Sequence, residues 1–242
     1  MQYLGGKARA RSWLIPVLNQ HTDPAGVFFE SFVGGLNVGP WVDCPSKICS
    51  DNNLDLILLY REYQTGWRPP AEVSEALYRE LRHAPSSALR GFGGCACSFG
   101  GKFFAGYARG GAGRNYASNA TNALTEAFKQ PNADKIVFRH WSYKTAFEAA
   151  AKVKSKGHPV TVYCDPPYTN TTKYKTGAFD SDLFFARCTE LAKQGVTVLI
   201  SEYQTRPGFR IVAQHQKRLG LRTKAGGQEM RTELVLTPEV TP

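Results

Sequence analysis

The stretch Val160-Thr161-Val162-Tyr163-Cys164-Asp165-Pro166-Pro167-Tyr168 restricts what this chain can fold into more than any other. Its first residues are β-branched, aromatic or small and apolar, types that favour a buried strand. The two prolines cannot continue a hydrogen-bond ladder, so the strand ends where Asp165 begins. A carboxylate is thereby delivered to the carboxyl end of a sheet strand, where open α/β sheets keep their ligand crevices. The prolines have fixed φ, and Pro166 offers a carbonyl with no donor of its own. Asp165 and that carbonyl form a stiff two-acceptor cradle with the face of Tyr168 beside it, which suits a flat ring bearing an exocyclic amino group. A strand end followed by a rigid turn is the other reading the tetrapeptide allows.

Such a sheet needs partners, and the chain supplies them. Val27 to Glu30, Lys47 to Asp51, Lys135 to Arg139 and Val196 to Ile200 are further apolar runs, separated by helical patterns at about Ala8 to Asn19, Leu54 to Tyr63, Thr145 to Val153 and Leu183 to Leu191. Phe209 to His215 and Met230 to Leu236 alternate and read as an antiparallel pair. At 242 residues the chain has room for one α/β domain with an insertion or for two small domains. The formal net charge of +10 points to a polyanionic partner, with nucleic acid the first candidate and a membrane surface or solubility the others. No apolar h-region opens the sequence and no apolar run approaches bilayer length, so a cytoplasmic protein that does not enter membranes is expected. The six cysteines lack the spacing of a disulfide framework; Cys95-Ala96-Cys97 without a second ligand pair is weak as a metal signal, and free thiols are expected.

Three stretches carry candidate binding chemistry. In Tyr3-Leu4-Gly5-Gly6-Lys7 the glycines let the backbone pass close to another group, and Lys7 then projects a cation; alone, it reads equally as a solvated lysine. Gly26 to Asn37 reads as a buried strand, a turn at Gly34-Gly35 and a helix start, the first βα unit of a doubly wound sheet, whose helix N-terminus would favour an anionic group. Ser50-Asp51-Asn52-Asn53 puts Asp51 at the end of the second strand, in position to accept hydrogen bonds from ribose hydroxyls or to cap the following helix.

From Thr65 to Asp134 the βα rhythm is lost. A short helix at Ser74 to Leu81 precedes Gly91 to Arg109, where glycines and aromatics interleave, with Lys102, Arg109 and Arg114 nearby. This composition suits stacking on bases with cations on phosphates, and equally an irregular subdomain whose aromatics form a core. After the Asp-Pro-Pro-Tyr stretch, Lys173 and Lys175 sit in a polar segment that suits a phosphate-binding loop closing over a base, or a surface loop. Arg206, Arg210, Lys217, Arg218, Arg222, Lys224 and Arg231 make the carboxyl-terminal part basic.

Taken in order, these stretches resemble the Dam-like DNA adenine methyltransferases, whose catalytic motif is Asp-Pro-Pro-Tyr. The resemblance runs from Tyr3 to about Glu233 and is weakest between Thr65 and Asp134. Tyr3-Leu4-Gly5-Gly6-Lys7 is similar to the family's amino-terminal cofactor motif; Glu30-Ser31-Phe32-Val33-Gly34-Gly35 resembles Glu-Pro-Phe-x-Gly-Gly with Ser31 for Pro; Ser50-Asp51-Asn52-Asn53 resembles Ser-Asp-x-Asn. Ser142-Tyr143 stands where the family has Asp-Phe or Asp-Tyr, and Ser201-Glu202-Tyr203 resembles its Ser-Asn segment. The resemblance implies a Rossmann-like methyltransferase domain over 1–64 and 135–242, with a target-recognition insertion over 65–134. It implies S-adenosylmethionine as methyl donor, with Tyr3, Lys7, Glu30, Phe32, Gly34, Gly35, Asp51, Asn52 and Asp165 as its contacts. It further implies an adenine flipped out of double-stranded DNA, held by Asp165, Pro166, Pro167 and Tyr168; no metal; a monomer or weak dimer; and a restriction endonuclease as a conceivable partner. The chemistry makes sense, because accepting both amino N–H bonds pyramidalises a poor nucleophile, and stacking replaces about 1–3 kcal/mol lost on flipping. The same cradle accepts cytosine N4 or an RNA base, and a basic nucleic-acid-binding module on an inactive scaffold is the rival from outside catalysis.

Overall fold

The computed structural model describes residues 1–110, 114–167, 179–222 and 228–240, with the backbone alone for 217–222, 228 and 229. Five parallel strands form the centre: β1 (Val27–Glu30), β2 (Ser46–Asp51), β3 (Val137–His140), β4 (Val160–Cys164) and β5 (Thr197–Glu202). The long antiparallel pair β6 (Phe209–Arg222) and β7 (Gln228–Pro238) completes the sheet in the order β3-β2-β1-β4-β5-β7-β6. This is the doubly wound, Rossmann-like α/β arrangement expected above. The order reverses between β1 and β4, which places a crevice beyond their carboxyl ends.

Strand alternation sorts the core into two layers. Phe28, Tyr163, Leu199 and Val235 point to one face and bury Leu14 and Leu18 of helix α1 (Arg11–Gln20). Phe29, Val162, Val198, Ile200 and Leu236 point to the other, against helices α6 (Tyr143–Lys154) and α7 (Ser181–Lys193), which contribute Phe147, Ala150, Phe184 and Cys188. Helix α1 is shorter at its start than the periodicity suggests, and its Trp13 is only half-buried, stacking on His215 of β6.

Within the described part of residues 65–134 stand three α-helices, where the sequence reads as irregular apart from the short helix at Ser74 to Leu81. Helix α3 (Glu75–Leu81) and helix α5 (Tyr116–Phe128) flank α4 (Ala88–Ala96), which contains Gly91, Gly93 and Gly94. These glycines are an approach surface. A Cβ on Gly91 would overlap the Asp55 carbonyl oxygen of helix α2 (Leu54–Gln64), and one on Gly94 would come 2.5 Å from the Phe103 ring. The contact is locked by Asp55, whose carboxylate pairs with Arg90 and accepts the Ser87 N–H at 3.0 Å. The insertion therefore shares one core with α2, β2 and β3, into which Tyr78, Phe92 and Phe104 are buried and against which Phe103 and Tyr107 pack. A buried ion pair of this kind gives little net stability but is costly to break.

The second departure lies after β1. No α-helix follows Gly34-Gly35; the chain makes a short 3₁₀ turn at Gly39–Trp41 and goes directly into β2. The anion-binding helix N-terminus expected there does not exist. The six cysteines are buried and unbridged. Among the described residues, no helix is long and apolar enough to cross a membrane.

Candidate active site

Residues far apart in sequence meet at the carboxyl ends of β1, β4 and β5, beside the middle of the antiparallel β7. Gly5, at φ 79°, turns the amino-terminal segment into a 3₁₀ turn at Lys7–Arg9. Lys7 is thereby driven inward, only 5% exposed, with Nζ 2.6 Å from Asp165 Oδ1 and 3.2 Å from Oε1 of Glu233, itself 1% exposed. Burial works against the ammonium, but the two carboxylates outweigh it and hold the Lys7 pKa above its ordinary value. Lys7 is thus an ion-pair partner of the candidate catalytic carboxylate, and the solvated-lysine reading is excluded. Pro166 is buried and Pro167 half-buried directly beyond β4. Tyr168 lies outside the described residues, as do Lys173 and Lys175.

The Gly34 loop is tied down from three sides. Its N–H donates to Asp51 Oδ2 at 2.9 Å, its carbonyl accepts from the Tyr60 hydroxyl, and a Cβ on it would stand 2.8 Å from the Tyr3 ring. At Gly35 a Cβ would stand 2.7 Å from Tyr3 Cβ. The missing side chains of both glycines thus make room for Tyr3. Asp51 also accepts the Asn53 N–H at 2.9 Å, whereas the cap of α2 is Asn53, which accepts from the Asp55 N–H at 3.0 Å. Burial raises the Asp51 pKa, against the lowering effect of the Gly34, Asn53 and Asn52 amides. Asn52 is exposed, with its carbonyl 3.2 Å from His140 Nε2. Glu30 turns beneath the loop, accepting the Gly39 N–H at 2.8 Å. Burial pushes its pKa up to about 8, with Asp165 and Asp51 adding to the rise and the Gly39 amide opposing it, so it is largely protonated at neutral pH.

Beside this charged group lies an aromatic one. Phe32 stacks on Tyr143 at 6.0 Å between centroids, with Phe179 and Phe184 edge-on to both. Ser142, at the place where the family has Asp, caps α6, and Tyr143 supplies the ring. Between the two groups the buried Ser31 hydroxyl has no hydrogen-bond partner among the described residues. Buried polar groups are almost always satisfied, so a lone hydroxyl here fits a site that takes a polar ligand. A ring surface and an orphaned hydroxyl beside the Lys7, Asp165 and Glu233 group together suit a polar ligand that is flat at one end.

The cations singled out in residues 65–134 are spread over that segment, with Lys102 next to Gly101, whose carbonyl accepts the Leu4 N–H at 3.1 Å. Arg109 is exposed and pairs with Glu75 at 2.7 Å, Arg114 lies over the Tyr116 ring, and Lys102 is half-buried beside Phe103. Arg231 of β7 stands over the Tyr203 ring, 4.9 Å from its centroid. Sequence reasoning missed Glu233, whose signal is a lone acid in the strand run Met230 to Leu236. Glu202, in the Ser201-Glu202-Tyr203 segment noted above, ends β5; its pKa is raised by burial and by Asp165, although the adjacent Tyr203 amide opposes the rise. Phe99 was missed as well; it is 77% exposed next to Gly101, whose Cβ position would press on the Tyr3 backbone at 2.8 Å.

No protein-family model matches the chain, and no curated protein does. Solved structures that match include two of the rRNA methyltransferase aviRa from Streptomyces viridochromogenes, both 14% identical. One covers 96% of this chain and 84% of the other at a TM-score of 0.42, the second 97% and 86% at 0.43. Chains this distant need not share substrate or site.

Proposed function

We propose that this protein is a methyltransferase that uses S-adenosylmethionine to methylate the exocyclic amino group of a nucleic-acid base, with adenine N6 in double-stranded DNA as the target. The observation that carries this reading is the 2.6 Å contact between Lys7 and Asp165. It joins the amino-terminal Gly-Gly-Lys stretch to Asp-Pro-Pro-Tyr at the point where the sheet order reverses. When bound, S-adenosylmethionine supplies an electrophilic methyl group on a cationic sulfur. The aromatic surface of Phe32 and Tyr143, the Ser31 hydroxyl and the carboxylates around Lys7 are the residues that would hold it.

The chain's own residues do the rest. Lys7 fixes the Asp165 carboxylate through Oδ1, which removes the need to orient it as substrate arrives. Asp165 and the Pro166 carbonyl accept the amino N–H bonds and leave the nitrogen lone pair directed at the methyl group. Phe99, Lys102 and Arg231 are offered as contacts to the nucleic acid around the target.

The test is transfer of labelled methyl from S-adenosylmethionine to unmodified duplex DNA, single-stranded DNA and RNA, followed by nucleoside analysis. N6-methyladenine from the DNA arms is expected, with Asp165→Ala lowering the rate at saturating S-adenosylmethionine at least about a hundredfold. Label on N4-methylcytosine or in the RNA arm would move the assignment to those substrates. Binding of nucleic acid with no transfer to any arm would refute an enzymatic role.

A further inference from the structure

The antiparallel pair β6–β7 outgrows the sheet it completes. β7 meets β5 only where Leu234 to Leu236 lie opposite Glu202 to Ile200, whereas its ladder with β6 continues to Gln228 opposite Arg222, with a break in register between Arg218 and Arg222. Because β7 runs antiparallel to β5, the part of it before Leu234 lies past the carboxyl end of β5, on the side of the sheet where Asp165 and Lys7 meet. A two-stranded ribbon thus rises from the edge that carries the candidate active site. From Leu234 back to Gln228, at about 3.4 Å per residue, it reaches about 20 Å beyond Glu202.

The ribbon is held at its root and open beyond it. Glu233 touches Lys7 at 3.2 Å, His215 opposite Glu233 stacks on Trp13 of α1, and Arg231 stands over the ring of Tyr203, just past β5. Gln214, His215 and Gln216 are exposed in succession, as are Met230 and Arg231, so among the described residues both faces of the ribbon meet solvent. Over 215–222 and 228–232 the sequence supplies Lys217, Arg218, Arg222 and Arg231 against the single acid Glu229. Lys217 is the ladder partner of Arg231, and like charges directly opposite each other work against strand pairing. Charges along a free edge also deter pairing between chains, but isolated lysines do that without setting two cations opposite each other. A polyanion laid along the ribbon offsets the repulsion.

We infer that the β6–β7 ribbon beyond Glu233 is a docking arm that enters the major groove of duplex DNA beside the target base, with Lys217, Arg218 and Arg222 neutralising phosphates along the groove. The inference rests on the functional reading above for its partner. The B-form major groove, about 12 Å wide, admits a two-stranded ribbon, whereas the undistorted minor groove, about 6 Å wide, and the deep, narrow major groove of duplex RNA do not. Because the ribbon starts at Glu233, which touches Lys7 and through it reaches Asp165, a duplex that takes up the arm is kept next to the candidate catalytic carboxylate.

The experiment is binding of fluorescein-labelled duplex DNA, without cofactor, to the full-length wild type and to a triple variant, Lys217→Gln with Arg218→Gln and Arg222→Gln, over a series of salt concentrations, with melting temperature as the fold control. Each phosphate contact contributes about −0.9 to the slope of log affinity against log salt. The triple variant is therefore expected to show a slope shallower by about 2–3 and an affinity at least about tenfold lower at about 0.1 M salt. Lys217→Gln and Arg222→Gln alone are each expected to remove about one from the slope, and they carry the test should the triple variant fail to fold. Guanine N7 faces the major groove, so its protection from dimethyl sulfate by the wild type is expected to weaken in the same variants. Unchanged slopes, unchanged protection, or a wild type that binds duplex RNA as tightly as duplex DNA would overturn the arm. Transfer of labelled methyl is read separately: a wild type that binds DNA through the arm and methylates no nucleic acid would overturn the functional reading and leave the arm standing.

Discussion

Replacing Glu30 by glutamine should make this protein more stable at alkaline pH. Glu30 is buried at the end of β1, and burial lifts its pKa from an ordinary 4.5 to about 8. A carboxyl raised on folding contributes stability that is fully present below the unfolded-state value and is lost as pH climbs through the folded-state value. The window therefore runs from 4.5 to about 8, and within it the unfolded chain gives up its proton first. At about 1.36 kcal/mol per pH unit, the wild type has lost about 1.4 kcal/mol by about pH 5.5 and about 4.6 kcal/mol by about pH 8.5. Glutamine cannot ionise, yet it keeps an acceptor for the Gly39 N–H, so it removes this slope. Urea unfolding followed by tryptophan fluorescence at those two pH values should show the glutamine variant gaining about 3 kcal/mol on the wild type between them. If the two proteins lose stability in parallel, Glu30 is not protonated in the fold and the account of the Gly39 turn is wrong.

Two further outcomes follow from the packing. Gly91→Ala gains about 1 kcal/mol of helix propensity in α4 but drives a Cβ into the Asp55 carbonyl of α2, which cannot rotate away. The overlap should win by about 2–3 kcal/mol, a fall of roughly 4–12 °C in Tm by calorimetry, and an unchanged Tm would mean that the two helices are not in contact. Phe99→Ala should leave Tm within about 0.5 kcal/mol of equivalent stability, because its ring is 77% exposed, while weakening binding to unmodified duplex DNA about tenfold through lost stacking. Unaltered affinity in a fluorescence-anisotropy titration would remove Phe99 from the interface.

Local chemistry made much of this molecule legible before any coordinates. The Val160–Cys164 strand has the bounds that the prolines dictate, and the other buried strands fall within a few residues of their apolar runs, because β-branched runs and turn residues act over short range. The insertion was legible only as a loss of rhythm. Its glycines were read as irregular backbone, whereas Gly91 and Gly94 lie in a helix because they let it press against Asp55 and Phe103, a reason that resides in the partner. The missing helix after Gly35 has the same origin. Tyr3 occupies the space beside both glycines, and Asp51 and Glu30 bind the Gly34 and Gly39 amides, so the loop is held by residues that the sequence places elsewhere.

What the chain alone determined was a carboxylate at the end of a buried strand, the layers of strand and helix around it, and a basic surface, since each depends on neighbours within a few positions. Only the folded arrangement decided that Lys7 serves Asp165 rather than solvent, and that Glu233 shares it. The physical reason is that a charge is defined by what surrounds it in three dimensions: the same lysine is a solvated tail in an open segment and a buried bridge once β4 and β7 bring two acids to its ammonium.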